Sequence, residues 1–285
     1  MGAARDRSGG EQLGFDLLDD TDWVRPLVRV TPARLATWEA CPRRYRMTYV
    51  DRPAPARGGA WAHSTLGAVV HLALRALHAL PVARRTPETA AALVDRNWSG
   101  EGYRDDAQQA EYRERARDWL AEYCAEHVTG PDAEEPLAVE RWVSGAVGSI
   151  VAEGRVDRID SRNGDAVIVD YKTGRRVPEP EDARDSPALA LYAVAAAHTL
   201  RRGCTRVELH HLPSGRVAVW EHDDTSLAGH VARAEATAAG ITAAADGGGY
   251  PPRTAPHCST CPVRRHCPEG RAAAPELDPW ALLAP

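Results

Sequence analysis

Gly154-Arg-Val-Asp-Arg-Ile-Asp-Ser-Arg-Asn-Gly-Asp-Ala-Val-Ile-Val-Asp-Tyr-Lys-Thr-Gly174 reads as two strands joined by a two-residue turn. Asn163-Gly164 is the strongest short hairpin signal, because both turn positions need positive φ. Such a turn fixes register. Arg162 then faces Asp165, Ile159 faces Ile168, Asp157 faces Asp170 and Arg155 faces Lys172. Opposed Cβ atoms in a ladder lie about 4.5–5.5 Å apart, so two carboxylates would meet face to face. Like charges at that spacing are unfavourable unless a cation sits between them. Lys172 lies two residues past Asp170, on the same strand face. Two acids and one amine in one small volume suit a hard divalent ion, Mg²⁺ or Mn²⁺. The amine would hold a phosphate oxygen or help deprotonate a water. The competing reading is a solvated hairpin with charges on its open face.

The lysine is singular. Of 35 Lys plus Arg, Lys172 alone is lysine. In a chain so biased to arginine, its position points to something guanidinium does poorly, such as lending a proton. Thr173-Gly174 then opens a loop to Arg175 and Arg176, placed to touch a phosphate backbone.

Outward from the hairpin the pattern is α/β with a helical front. Thr31-Pro32 starts a short helix that ends near Cys41-Pro42. Residues 62–80 carry Leu66, Val69, Val70, Ala73, Leu77 and Leu80 at helical spacing, closed by Pro81. Helices are expected near 87–98 and 106–128, and strands over 137–143, 150–159 and 165–171. Ser186-Pro187 starts another helix. A hairpin over 205–212 and 216–221 and a helix near 224–245 follow. Residues 1–28 read as a disordered tail, 29–270 as one domain and 271–285 as a second tail.

The chain has 285 residues, 44% hydrophobic and 26% charged, which excludes disorder as its main state. No apolar run reaches the ~18 residues of a membrane span. Its first residues, MGAARDRSGGEQ, lack the apolar core of a secretory signal, so a cytoplasmic location is expected. The net charge of −5 argues against wholesale nucleic-acid coating. It hides a basic segment. Between Thr31 and Arg57, six arginines stand against Glu39 and Asp51, a net +4.

Cys258-x2-Cys261-x5-Cys267 supplies three thiolates of a tetrahedral set. The fourth ligand would be Cys41, Cys124, Cys204, His257 or His266. Cys41 shares the Cys-Pro setting of Cys261 and Cys267. Zinc and an iron–sulfur cluster both accept four thiolates, and three clustered with one remote leans toward [4Fe–4S]. With Cys41, the closed loop runs 217 residues, from 41 to 258. Loop entropy then constrains the unfolded chain by roughly 5 kcal/mol.

Asp157 with Asp170-Tyr171-Lys172 resembles the PD-(D/E)XK nuclease signature, and the cysteines resemble its RecB-type exonuclease subset with an iron–sulfur cluster. Thr31-Pro-Ala-Arg-Leu35, Cys41-Pro-Arg-Arg-Tyr45 and the set Gly67, His71, Leu74 match further motifs in order. The likeness spans Thr31 to Cys267. It implies a restriction-endonuclease-like core, a mixed central sheet flanked by helices, with a helical N-terminal part and a Cys-rich C-terminal segment. It implies that Asp157, Asp170, His71 and the Tyr171 carbonyl hold the ion while Lys172 positions or activates water. Cys41, Cys258, Cys261 and Cys267 would hold the cluster, Glu140 and Tyr192 would lie at an outer site, and Arg43 and Arg44 would join Arg175 and Arg176 on nucleic acid. The implied activity is metal-dependent DNA cleavage, as an exonuclease on single strands or duplex ends in repair, recombination or processing. One departure stands out: the family's Gln-x3-Tyr keeps Tyr192 but has Ala188 for the glutamine. That raises a second reading, a weakened or inactive DNA-binding scaffold of the same fold. A GxxxxGK[ST] motor motif is absent, so any helicase partner would be a separate chain.

Overall fold

The computed structural model describes residues 27–130 and 133–283. In order the elements are β1 (Val28–Val30), α1 (Pro32–Ala40), α2 (Pro42–Tyr45), α3 (Ala62–His78), α4 (Pro87–Asn97) and α5 (Asp106–Tyr123). Then come β2 (Ala138–Val147), β3 (Ile150–Arg162), β4 (Asp165–Lys172), α6 (Pro180–Arg184) and α7 (Pro187–Leu200). The last are β5 (Arg206–His211), β6 (Arg216–Glu221), α8 (Asp224–Ala243) and α9 (Pro268–Ala273). The helix starts follow local chemistry. Thr31, Thr86, Asp105, Ser186 and Asp223 each accept a backbone N–H from the first turn of the next helix.

The sheet is mixed, and β3 organises it. β2 runs antiparallel along one side of β3. On the other side β1 pairs parallel with its start and β4 antiparallel with its end. β4 pairs parallel with β5, and β5 antiparallel with β6. The β3–β4 turn has φ 54° at Asn163 and 93° at Gly164, and Arg162 faces Asp165 as the turn demands.

The register then departs from expectation. The β3–β4 ladder stops at Arg158 and Val169, so the expected pairs Asp157–Asp170 and Arg155–Lys172 do not form. The strands part where two carboxylates would otherwise be forced together. Asp157 Oδ2 instead accepts the Tyr171 N–H at 3.1 Å. Side-chain alternation slips at the same place. Val156 and Ile159, three apart, both enter one core.

Two cores sandwich the sheet. One joins α3, α4 and α5 to Val167, Val169 and Tyr171 of β4. The other joins α7, α8 and α1 to Val143, Val156, Ile159 and Ile168. Alanines at 190, 193, 195 and 196 let α7 lie close on the strands. Gly154 matters for that approach, since a Cβ there would stand 2.6 Å from the Tyr192 ring.

The expected tails need correction. Val28 belongs to β1, while residues 1–26 lie outside the described residues. The C-terminal segment is packed: the Ala62 N–H bonds Pro279 O at 3.0 Å, and Trp280 and Leu283 join the first core. No helix among the described residues is long and apolar enough to cross a membrane.

His78, at the end of α3, is buried with neither ring nitrogen hydrogen-bonded. Burial, with the charges of Arg158 and Arg85, lowers its pKa to about 4. The unfolded imidazole, near 6.5, binds its proton sooner, so stability falls as pH drops from 6.5 toward 4. The span is worth about 3 kcal/mol. Urea unfolding of His78→Phe at pH 7 and pH 5 should show a shallower pH dependence than wild type. An identical slope would place the acid sensitivity elsewhere.

Candidate active site

Three elements bring a histidine and two acids together. α3 lays its stripe of Leu66, Val70, Ala73 and Leu77 on the sheet and carries His71. Its Nδ1 lies 3.3 Å from Asp157 Oδ1, and its ring meets the Tyr171 ring edge-on at 5.7 Å. β2 supplies Glu140, between the pairs Val139–Arg158 and Arg141–Val156 and so opposite Asp157. Ligand atoms of His71, Glu140 and Asp157 all lie within 4.8 Å of one another, the only such group of three among the described His, Cys, Asp and Glu residues. Glu140 has φ 51°, a left-handed backbone uncommon for a side-chain-bearing residue inside a strand. Strain of this kind concentrates where a side chain must be aimed.

Asp170 and Lys172 form a tight pair beside this group, with Nζ 2.5 Å from Oδ2. Burial raises the Asp170 pKa against the pull of Lys172, and the Asp157 charge adds to the rise. For His71, burial works against charge, but the Asp157 carboxylate, backed by Asp170 and Glu140, outweighs it and lifts the pKa above its usual value. Tyr192 looks toward the same acids: burial, helped by Asp170 and Asp157, pushes its phenol to about 12. The residues thus assemble with one change of rank. Glu140, expected as an outer carboxylate, stands in the inner group, and Asp170 is engaged by the lysine. A missed signal would have found this. Val147-Gly148-Ser149-Ile150 is a tight turn, and counting back from it sets Glu140 opposite Asp157.

The donor set fits a divalent ion. Two carboxylates and water suit Mg²⁺ or Mn²⁺, and the imidazole shifts the preference toward Mn²⁺.

The arginines divide. Arg43 spans both oxygens of Glu269 at 2.7 Å, beside the cysteine segment. Arg44 lines the cysteine cavity. Arg176 pairs with Asp182, while Arg175 is exposed in the loop after β4.

Cys41, between α1 and α2, lines one small cavity with Cys258, Cys261 and Cys267. All are free thiols. Cys41 Sγ accepts the Arg253 N–H at 3.4 Å, and Cys267 Sγ the Gly270 N–H at 3.3 Å. Cys124 and Cys204 sit in the two apolar cores instead. No three cysteine sulfurs among the described residues lie within 4.8 Å of one another. Thiolates around one tetrahedral zinc would be about 3.8 Å apart.

The fold recurs in a solved protein from Eubacterium rectale described as a candidate exonuclease. The two align over 90% of this chain and 94% of that one, with TM-score 0.51 and 12% identity. The crystal structure of SSO0001 aligns over 85% of this chain and 86% of that one, with TM-score 0.37 and 17% identity, too low a score to bear on the fold. No curated protein matches the sequence. The model of the PD-(D/E)XK nuclease superfamily matches residues 29–268, and the chain belongs to that superfamily.

Proposed function

We propose that the protein is a metal-dependent deoxyribonuclease of the RecB-type subset, acting as an exonuclease on single-stranded DNA in repair, recombination or processing. The observation that carries this is the group His71, Glu140 and Asp157 beside the Asp170–Lys172 pair. A divalent ion bound there supplies polarisation of the scissile phosphate and a lowered pKa for the attacking water. His71, Glu140, Asp157 and Asp170 would hold that ion. The Lys172 ammonium, anchored by Asp170, would orient the water or a phosphate oxygen. Arg175 guides the phosphate chain toward the site. Degradation of 5′- and 3′-labelled single and double strands with Mg²⁺ or Mn²⁺ tests the reading and gives the polarity. Binding without cleavage under both ions would favour the scaffold alternative, to which Ala188 in the first turn of α7 points.

Glu140→Gln removes one charged ligand. It should weaken Mn²⁺ binding, read by titration calorimetry, about tenfold or more. Unchanged affinity would return Glu140 to an outer role.

The cysteine cavity suits a structural [4Fe–4S] cluster. Four cysteines lining one small cavity, with backbone N–H groups donating to two of the sulfurs, support it. The cluster would tie α1 and α2 to the segment that ends in α9. A separate helicase or repair protein fits as a partner chain.

A further inference from the structure

The His71–Glu140–Asp157 group lies at one end of a strip of sheet that gives no apolar residue to the α3–α5 core. α7 and its neighbours cover the face of β2 and β3 that carries Val143 and Val156. On the opposite face, the α3–α5 core takes apolar residues of β4 and none from β1, β2 or β3, while the buried Arg158 of β3 donates to the Tyr123 hydroxyl of α5. Alternation places Trp142 on that opposite face, with Arg155 directly across from it. Trp142 is 53% exposed, the most exposed aromatic among the large hydrophobic residues described. An exposed indole of this size is the informative exception to burial. Arg155 is also largely exposed, and its Nε bonds Glu140 Oε2 at 2.8 Å. The Trp142–Arg155 pair stands two residues along the strands from Glu140 and Asp157, about 7 Å, close to one nucleotide step.

We propose that Trp142 is a nucleobase platform. The indole stacks on the base of the nucleotide next to the scissile phosphate, and Arg155 lies between that base and the carboxylates, where a phosphate would pass. The assignment rests on the nuclease reading and deepens it by naming the residue that would hold a base of its unpaired strand or frayed end. The surroundings favour a base over an apolar protein partner. The neighbours on this face are Ser144, Glu153 and Arg155, and Glu153 is paired with Arg29. A lone ring among polar groups matches a flat solute with polar edges, whereas a protein interface would want contiguous apolar surface. Bases inside a duplex have both faces covered by their neighbours, so only an unpaired or terminal base offers one to the indole.

The test is binding of oligothymidylate, followed by fluorescence anisotropy with Ca²⁺ replacing the catalytic ion. Trp142→Ala should raise the Kd about five- to 150-fold, the effect of losing one aromatic–base stack. Trp142→Phe should stay within about threefold of wild type. Binding of a blunt, closed duplex should be the same in all three. Strand addition should quench tryptophan emission in wild type, and that quench should be missing in Trp142→Phe. An alanine variant that binds oligothymidylate as wild type does, or a phenylalanine variant that loses as much as alanine, overturns the platform. Wild type that degrades strands while Trp142→Ala binds normally defeats the platform and leaves the nuclease intact. Wild type that binds through Trp142 and cuts nothing with Mn²⁺ defeats the nuclease reading and leaves the platform.

Discussion

Asp157→Asn is expected to lower the rate of strand cleavage about 10³-fold or more while the protein stays folded. Asp157 has three relations in the site. Its Oδ2 accepts the Tyr171 N–H, its Oδ1 faces His71, and its charge stands near Glu140 and acts on Asp170. Asparagine keeps an oxygen for the backbone donor, so the ladder's end should hold. It removes the negative charge, and with it a ligand to the ion. Because Asp157 also makes ionised Asp170 costly, the metal-free variant should melt at or above the wild-type temperature, as often happens when a strained site is relaxed. Cleavage of labelled single-stranded DNA with Mn²⁺, beside circular dichroism melts without metal, checks both halves. An Asp157→Asn enzyme that cuts at the wild-type rate would move the chemistry away from this group.

Cys41→Ser should produce the largest change in stability. If Cys41 is the fourth ligand of the proposed cluster, it would close the loop of 217 residues between 41 and 258, a constraint of about 5 kcal/mol on the unfolded chain. At about 2–4 °C per kcal/mol for a chain near this size, the midpoint should fall by about 10–20 °C. The brown colour and broad absorption near 400 nm expected of the wild-type protein should go with it. A variant that keeps its colour and its melting point would exclude Cys41 from the cluster. Stoichiometric zinc in a colourless wild type would replace the cluster with a metal staple.

What could be read in advance follows from the range of the interactions involved. Asn163-Gly164 specified its own turn, and the pairs nearest it, Arg162–Asp165 and Ile159–Ile168, followed because a two-residue loop permits one register. The Asp170–Lys172 contact was legible for the same reason, as two residues apart on one strand share a face. Thr31 and Ser186 announced their helices through short polar side chains before proline. Non-local effects were hidden. The ladder's end at Arg158 depends on repulsion and on the Tyr171 N–H finding a side-chain acceptor, and neither leaves a local pattern. β1 is three residues long and exists through parallel pairing with Ile150, Val151 and Ala152, over a hundred residues away. The inner place of Glu140 needed the β2–β3 turn at Gly148, which the shorter expected strand 137–143 stopped before reaching. The pairing of Arg43 with Glu269, remote in sequence, left no local pattern either.

The packing of the last residues against the helical front has a consequence for synthesis on the ribosome. The N-terminal end of α3 is completed by Pro279, and Trp280 and Leu283 finish the core that α3 begins. A nascent chain therefore carries an unfinished apolar surface on α3 until residues 279–283 have been made. A product truncated before them would leave that surface open to chaperones and proteases.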